Sequence, residues 1–353
     1  MALTQSQKTL IERARSAGTA DLGTRLSDET CAFISAIIIR DLQLLDNFTD
    51  ISEDFPEFFA EPDPNKLIIS NLDFNIIIAQ LFSLVPDADT YFICLAALQK
   101  SRLKYSRILE YQPIPTMDQV GPRALLQYGQ MSSQILAIFL LWRKWLFDID
   151  NRAGQETGYL FEPIIAHAIG GSPFSAKTSP IKRRKDKSKR RQVDCIRDKL
   201  AYEFKIRVTI AASGQGRWGE ELDFPQDCND SGFKPVLIVL DPTPNPKLTE
   251  LISAFENVGG DTYIGDAAWS HLEEAAGQVM SIFLDKYVKA PMQQVLNSSP
   301  DELPDITFGM KDNMFSIIVG EELVRFKRAS FLSEGILESG RSFVDGDERE
   351  KID

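Results

Sequence analysis

Residues 192–207, Gln-Val-Asp-Cys-Ile-Arg-Asp-Lys-Leu-Ala-Tyr-Glu-Phe-Lys-Ile-Arg, bring two carboxylates and an ammonium within reach of one another. The stretch reads as a β-hairpin with Asp198-Lys199 as a two-residue turn. Antiparallel pairing across that turn sets Ile196 opposite Ala201, Cys195 opposite Tyr202 and Asp194 opposite Glu203. Directly opposed residues carry Cβ atoms about 5 Å apart on one face of the sheet. Lys205, two residues past Glu203, projects from that same face, while Phe204 and Ile206 turn to the other and supply a buried side. Two carboxylates so close repel each other unless a cation lies between them, and an oxygen-liganded Mg2+ is the natural candidate. The chemistry to expect is a metal site that handles phosphate.

Glu203-Phe204-Lys205 is the only place in the chain where Asp or Glu stands two positions before Lys. By itself the tripeptide equally describes a cross-strand ion pair on a solvated face, so its surroundings decide. Directly ahead, Lys182, Arg183, Arg184, Lys185, Lys187, Lys189, Arg190 and Arg191 make eight bases against the single acid Asp186, a local +7 in a chain of net charge −12. Such a block suits a phosphate-neutralising element with strong salt dependence; a disordered linker or a nuclear-import signal has the same composition. Its place immediately before the Asp194 strand favours the phosphate role.

The elements that must position these groups follow from periodicity. Residues 1–150 read as helical throughout. Ser27 caps a helix with Phe33, Ile34, Ile37, Ile38, Leu42 and Leu45 on one face. A second runs through Phe74, Ile77, Ile78, Leu81 and Phe82 and stops before Pro86; a third spans Asp89 to Tyr111; a fourth spans Pro122 to Phe147. Residues 49–66 form an irregular connection. The third helix presents Lys100, Arg102, Lys104 and Arg107, a stripe that fits either a DNA backbone or an ordinary solvated face.

Beyond residue 151 the pattern changes. A helix over Glu156–Ile169 closes at Gly170-Gly171, and the hairpin follows. Then come an amphipathic helix from Gln215 to Phe224, an apolar strand over 235–240, a helix over Lys247–Val258, a short strand over Thr262–Ile264 and a helix over Ala268–Tyr287. That order predicts an α/β fold with a three-layer core around a mixed sheet. Residues 304–330 alternate as a small β-meander, and the polar end of the chain is expected to be disordered. The expected division is a helical N-terminal region over 1–150 for DNA recognition or dimerisation, a catalytic core over 151–290, a β-rich extension over 291–337 and a disordered tail over 338–353.

A chain of 353 residues with 43% hydrophobic and 25% charged content is an ordinary soluble globular protein with room for two units. No apolar run approaches the roughly 20 residues of a bilayer span, and the first sixteen residues lack a signal core. A cytoplasmic protein is expected, with Cys31, Cys94, Cys195 and Cys228 as free, mostly buried thiols. Dispersed cysteines and only two histidines, His167 and His271, argue against zinc. His167 reads as a helix residue near the core.

The helix with Glu162, the strand with Asp194, Glu203-Phe204-Lys205 and the helix–strand–helix–strand that follows resemble the PD-(D/E)xK nuclease superfamily over residues 150–290. Val193 stands where a proline often precedes the first aspartate. The helical N-terminal half and Gln215-Gly-Arg-Trp-Gly-Glu-Glu221 are most similar to a type II restriction endonuclease of the ApaLI-like group. The resemblance implies that Asp194 and Glu203 ligate Mg2+ together with the Phe204 carbonyl. Lys205 would then orient or deprotonate the attacking water, with Glu162 as a further carboxylate. It also implies Mg2+-dependent hydrolysis of double-stranded DNA to 5′-phosphate and 3′-hydroxyl ends. A C2 homodimer reading a palindrome and a companion methyltransferase in a prokaryotic host would accompany that activity. Glu162 reads equally as a helix-surface residue, and Gln215 and Arg217 as DNA contacts or as residues opening a helix. A repair or junction-resolving nuclease on the same fold, a non-cleaving DNA-binding protein, and a plain α/β protein with a surface ion pair are the other readings.

Overall fold

A computed structural model describes residues 3–16, 24–52, 54–206, 215–244 and 246–329. Four helices open it: α1 (Gln5–Arg15), α2 (Asp28–Asp41), α3 (Phe74–Leu84) and α4 (Ala88–Tyr111). Their starts follow from capping: Thr4 accepts from the Gln7 N–H, Ser27 from Thr30, and Asp73 from Asn75 and Ile76. α2 is buried without interruption from Thr30 to Ile39 and forms the centre of this region. Three residues of the basic stripe on α4 are engaged within the fold, and Arg107 is exposed. Arg102 donates to the Phe58 and Glu61 carbonyls at 2.6 and 2.8 Å, Lys100 donates to Ser16 O, and Lys104 pairs with Glu156 at 2.7 Å. These bonds secure the irregular 49–66 connection and the neighbouring helix.

After the short α5 (Met117–Val120) comes α6 (Ser133–Ala168), a single helix of 36 residues where two helices were expected. It begins later than Pro122 because Gly121–Ala124 closes a 3-10 turn and Ser132 caps the new helix through the Ile135 N–H. Gly154, Gly158 and Pro163 lie within it. Packing of its later turns, notably Ile164, Ile165 and Ala168, outweighs those poor helix formers.

The sheet comprises β1 (Ser172–Phe174), β2 (Val193–Arg197), β3 (Leu200–Lys205), β4 (Lys234–Val239) and β5 (Asp261–Ile264), in that spatial order. The first three strands are antiparallel and the last three parallel. The parallel steps are made through α7 (Gln215–Asp230) and α8 (Pro246–Glu256). α9 (Asp266–Leu284) bends at Gly277, where φ is +69°, and runs through a π-helical turn (Asp285–Lys289) into α10 (Ala290–Asn297). One face of the sheet packs Val193, Ala201, Leu237 and Val239 against Phe224 and Cys228 of α7 and Leu248, Leu251 and Phe255 of α8. The other packs Cys195, Tyr202, Phe204, Val236 and Ile238 against α4, α6 and α9. The result is the three-layer α/β core with a mixed sheet.

That second core continues unbroken into α2 and α3, so the helical region shares its interior with the sheet. Asp41 fastens the two: its buried carboxylate accepts from Tyr91 Oη at 2.8 Å, Tyr287 Oη at 2.5 Å and Lys286 Nζ at 2.7 Å. The meander, β6 (Ile306–Lys311), β7 (Met314–Val319) and β8 (Glu322–Lys327), is a separate antiparallel sheet. Its first turn takes positive φ at both Asp312 and Asn313, as a two-residue hairpin turn requires. Phe308 and Phe315 set it against Trp142 and Trp145 of α6. All four cysteines are free and buried. Among the described residues no helix is long and apolar enough to cross a membrane. The expected tail, 338–353, lies outside the described residues.

Candidate active site

The hairpin has the expected register. Cys195 faces Tyr202 and Ile196 faces Ala201, and Asp198 takes φ +55° at the first central position of the two-residue turn. The ladder ends one pair short of Asp194 and Glu203. The cause lies on the other edge of β2, where Ser172 pairs with Ile196 and Phe174 with Val193, so three steps of β2 span two of β1. This bulge frees Asp194 from strict alternation and re-aims its side chain. Asp194 Oδ2 accepts the Phe204 N–H at 3.0 Å, in place of a main-chain partner on β2. The parallel ladder with β4 uses Glu203 and Lys205, so the Phe204 carbonyl leaves β3 on the same edge as its N–H, towards Asp194.

Lys205 Nζ donates to Glu203 Oε1 at 2.7 Å, with both side chains mostly covered (21% and 18% exposed). Burial opposes the Lys205 ammonium, but Glu203, Glu221 and Asp194 together outweigh it and hold its pKa above the usual lysine value. The Asp194 carboxyl is pushed well above the ordinary aspartate range, first by lost hydration and then by the charges of Glu203 and Glu162. Glu162 thus bears on the site from α6, and its Oε1 folds back over Gly158, 3.3 Å from where a Cβ would stand. Asp194, Glu203, Lys205 and Glu162 are accordingly brought together at one end of β2 and β3.

One site residue was missed from sequence. Glu221 of α7 places Oε2 3.5 Å from Lys205 Nζ, a second carboxylate on the lysine. Its signal was present in the Gly-Glu-Glu run of the helix that follows the Lys205 strand, but which of the two glutamates faces the sheet depends on how α7 is rotated.

The basic run is folded over α7. A bridge joins Lys182 to Arg190, and the Arg183 N–H donates to Lys189 O. Arg183 pairs with Glu220 at 2.6 Å, while Arg184 and Lys185 both reach Asp223. Arg191 is buried: its guanidinium meets Asp227 Oδ2 at 2.6 Å and donates to Glu220 O at 2.9 Å. It therefore braces α7 and is not presented to a ligand. Lys182, Arg184, Lys185, Lys187, Lys189 and Arg190 remain on the surface. Gln215 and Arg217 open α7, and their side chains lie outside the described residues. His167 sits on the exposed side of the last turn of α6.

The donor set suits a hard divalent cation. Among the described residues no three of His, Cys, Asp and Glu form a ready-made cage. Mg2+ keeps several waters and is held through one or two carboxylates plus substrate phosphate, so Asp194 and Glu203, with the Phe204 carbonyl, are the groups that could hold one. Burial and the neighbouring carboxylates that raise the Asp194 carboxyl, and the ammonium held against Glu203, are features that a bound cation would relieve.

A measurable consequence concerns stability. A carboxyl whose folded pKa exceeds its unfolded value favours the folded state while protonated. That contribution is complete below the unfolded value of about 3.9 and is lost as pH rises through the folded pKa. Asp194→Asn stays neutral and can still accept the Phe204 N–H. In chelator at about pH 8 the variant should melt above the wild type, with the gap closing towards about pH 4. Added Mg2+ should raise the Tm of the wild type more than that of the variant. Thermal melts across this range check it, and a lower-melting variant at the alkaline end would refute it.

Residues 64–289 match the family model of the ApaLI-like restriction endonucleases. The type II restriction enzyme ApaLI of Acetobacter pasteurianus is 51% identical over 245 residues, 68% of this chain and 64% of that protein. The chain thus spans just under two-thirds of that relative's length. No solved structure matches. The matched span runs from the last three residues of the irregular connection to the end of the π-helical turn, so it takes in α3 and α4 as well as the sheet.

Proposed function

The chain belongs to the ApaLI-like restriction endonuclease family, and from that premise we propose that it is a sequence-specific type II endonuclease. Its reaction would be hydrolysis of double-stranded DNA with Mg2+ to 5′-phosphate and 3′-hydroxyl ends. The observation that carries this reading is the convergence of Asp194, Glu203 and Lys205 at the shared end of β2 and β3, with Glu162 brought in by α6. A surface ion pair needs no second and third carboxylate, and a DNA-binding protein without activity has no physical use for a buried Asp194 set beside other carboxylates.

Asp194 and Glu203 would hold the ion with the Phe204 carbonyl. The ion, when bound, supplies an activated water and neutralises charge on the scissile phosphate. Lys205 keeps a protonated ammonium beside the phosphate and stabilises the charge that develops there. Glu162 completes the carboxylate set from the helix side. The exposed bases of the 182–190 loop are the proposed phosphate contacts, giving binding that weakens steeply with salt.

A palindromic target calls for two copies related by a two-fold axis, one per strand. The exposed Leu125, Leu126, Tyr128, Ile135, Ile138 and Phe139, before and along α6, support such self-association. The same reading places the protein in a prokaryotic cytoplasm beside a protective methyltransferase.

Incubation with a long mixed-sequence duplex and Mg2+ tests the proposal. Discrete fragments that religate after purification support it. A smear, or cutting confined to branched DNA, replaces it with a non-specific or junction-selective nuclease. Tight binding without cleavage in any divalent metal removes the enzymatic reading.

A further inference from the structure

We propose that Glu221 is a positioning residue for Lys205, the carboxylate that keeps its ammonium aimed at the scissile phosphate once Glu203 is engaged by the metal. The inference rests on the hydrolytic reading above and assigns a task to a residue from a different element. Lys205 Nζ has two carboxylate neighbours, Glu203 at 2.7 Å and Glu221 at 3.5 Å. Glu203 cannot serve a divalent cation and the lysine equally well, because the ion draws its oxygens and repels the neighbouring ammonium. A lysine is a point charge on a flexible four-carbon stem, so without a second partner it loses direction. Glu221 supplies that partner from the other side.

The location of Glu221 is firmly set. Phe224 and Cys228 seat α7 in the core on the Glu203–Lys205 face of the sheet. Asp227 locks the helix to Arg191, three residues ahead of Asp194, through a pair that is 1% and 9% exposed. Glu220, one residue earlier, turns away to Arg183 at 2.6 Å. Adjacent glutamates on one helix point about 100° apart, so the fixed helix divides them between the basic loop and the catalytic lysine.

Glu221→Gln and Glu221→Asp separate this role from a structural one. The glutamine variant should lose about tenfold to a hundredfold in kcat, the scale of misdirecting one charged group, with KM for DNA unchanged. Mg2+ affinity by calorimetry should be unchanged, and the aspartate variant should fall between the two. A second readout needs no turnover. In the Ca2+-loaded protein, nitrogen NMR of lysine ammonium groups should show an ordered Lys205 Nζ in the wild type and Glu221→Asp, and a solvent-averaged one in Glu221→Gln. Wild-type cleavage by Glu221→Gln, or an unchanged Lys205 signal, overturns the assignment. A loss of Mg2+ affinity also overturns it, by making Glu221 a ligand. If the wild type cleaves no DNA, the hydrolytic reading falls, and the NMR comparison still decides what Glu221 does.

Discussion

Asp194→Ala and Lys205→Ala should each lower the rate of duplex cleavage at least about a thousandfold while leaving DNA binding in place. Asp194 is the group whose carboxyl both caps the Phe204 N–H and feels Glu203 and Glu162, so its loss removes the charge that makes the cluster attractive to a cation. Lys205 is the ammonium that meets these carboxylates, and its loss leaves developing charge on the phosphate without that partner. The two variants should differ in binding. Removing a negative charge beside phosphate should tighten the complex slightly, and removing the lysine should weaken it slightly. Single-turnover cleavage together with fluorescence anisotropy in Ca2+ distinguishes these outcomes. Wild-type rates in either variant would move the active site elsewhere.

Asp227→Ala should destabilise the protein by about 3–5 kcal/mol, the cost of stranding a buried charge. Its carboxylate is 1% exposed and takes both a 2.6 Å contact from the Arg191 guanidinium and the Arg184 N–H at 2.8 Å. Without it, Arg191 keeps only the Glu220 carbonyl among these partners and stays where water does not reach well. Domains usually hold about 5–15 kcal/mol of net stability, so the loss is a large fraction of the whole. The double variant Arg191→Met/Asp227→Leu should recover most of it, because an apolar pair carries no desolvation penalty. Urea unfolding of the three proteins measures this. A double variant no more stable than Asp227→Ala would show that the pair acts through something other than charge burial.

Much of the site was legible because its geometry is local. A two-residue turn and a period of two are enough to set Cys195 against Tyr202 and to put Glu203 and Lys205 on one face. The bulge at Asp194 was not legible, since it is imposed by β1, which lies across the basic loop in sequence. Local propensity also misled at α6: a gap was expected between Phe147 and Glu156, around Gly154, and the helix runs straight through it, held by the packing of its later turns. The basic block illustrates a signal that was present and unused. Glu220, Asp223 and Asp227 stand at i, i+3 and i+7 on α7, an acidic stripe that matches the run in sign and position. Glu221 required the rotation of α7, which a contact between Arg191 and Asp227 sets from outside the helix.

The continuity of α6 governs which changes in chain length the protein can absorb. Trp142 and Trp145 hold the meander near one end, and Glu162 bears on the candidate site near the other. Each residue added to a helix turns everything beyond it by about 100° and advances it about 1.5 Å. A single insertion or deletion between Trp145 and Glu162 therefore swings either the carboxylate off the site or the tryptophans off the meander. Even a seven-residue addition, which nearly restores the angle, shifts one end about 10 Å along the axis. This stretch should tolerate exchange of its solvent-facing letters and no change in their number, so variants of this chain can be spliced only at the loops that flank α6.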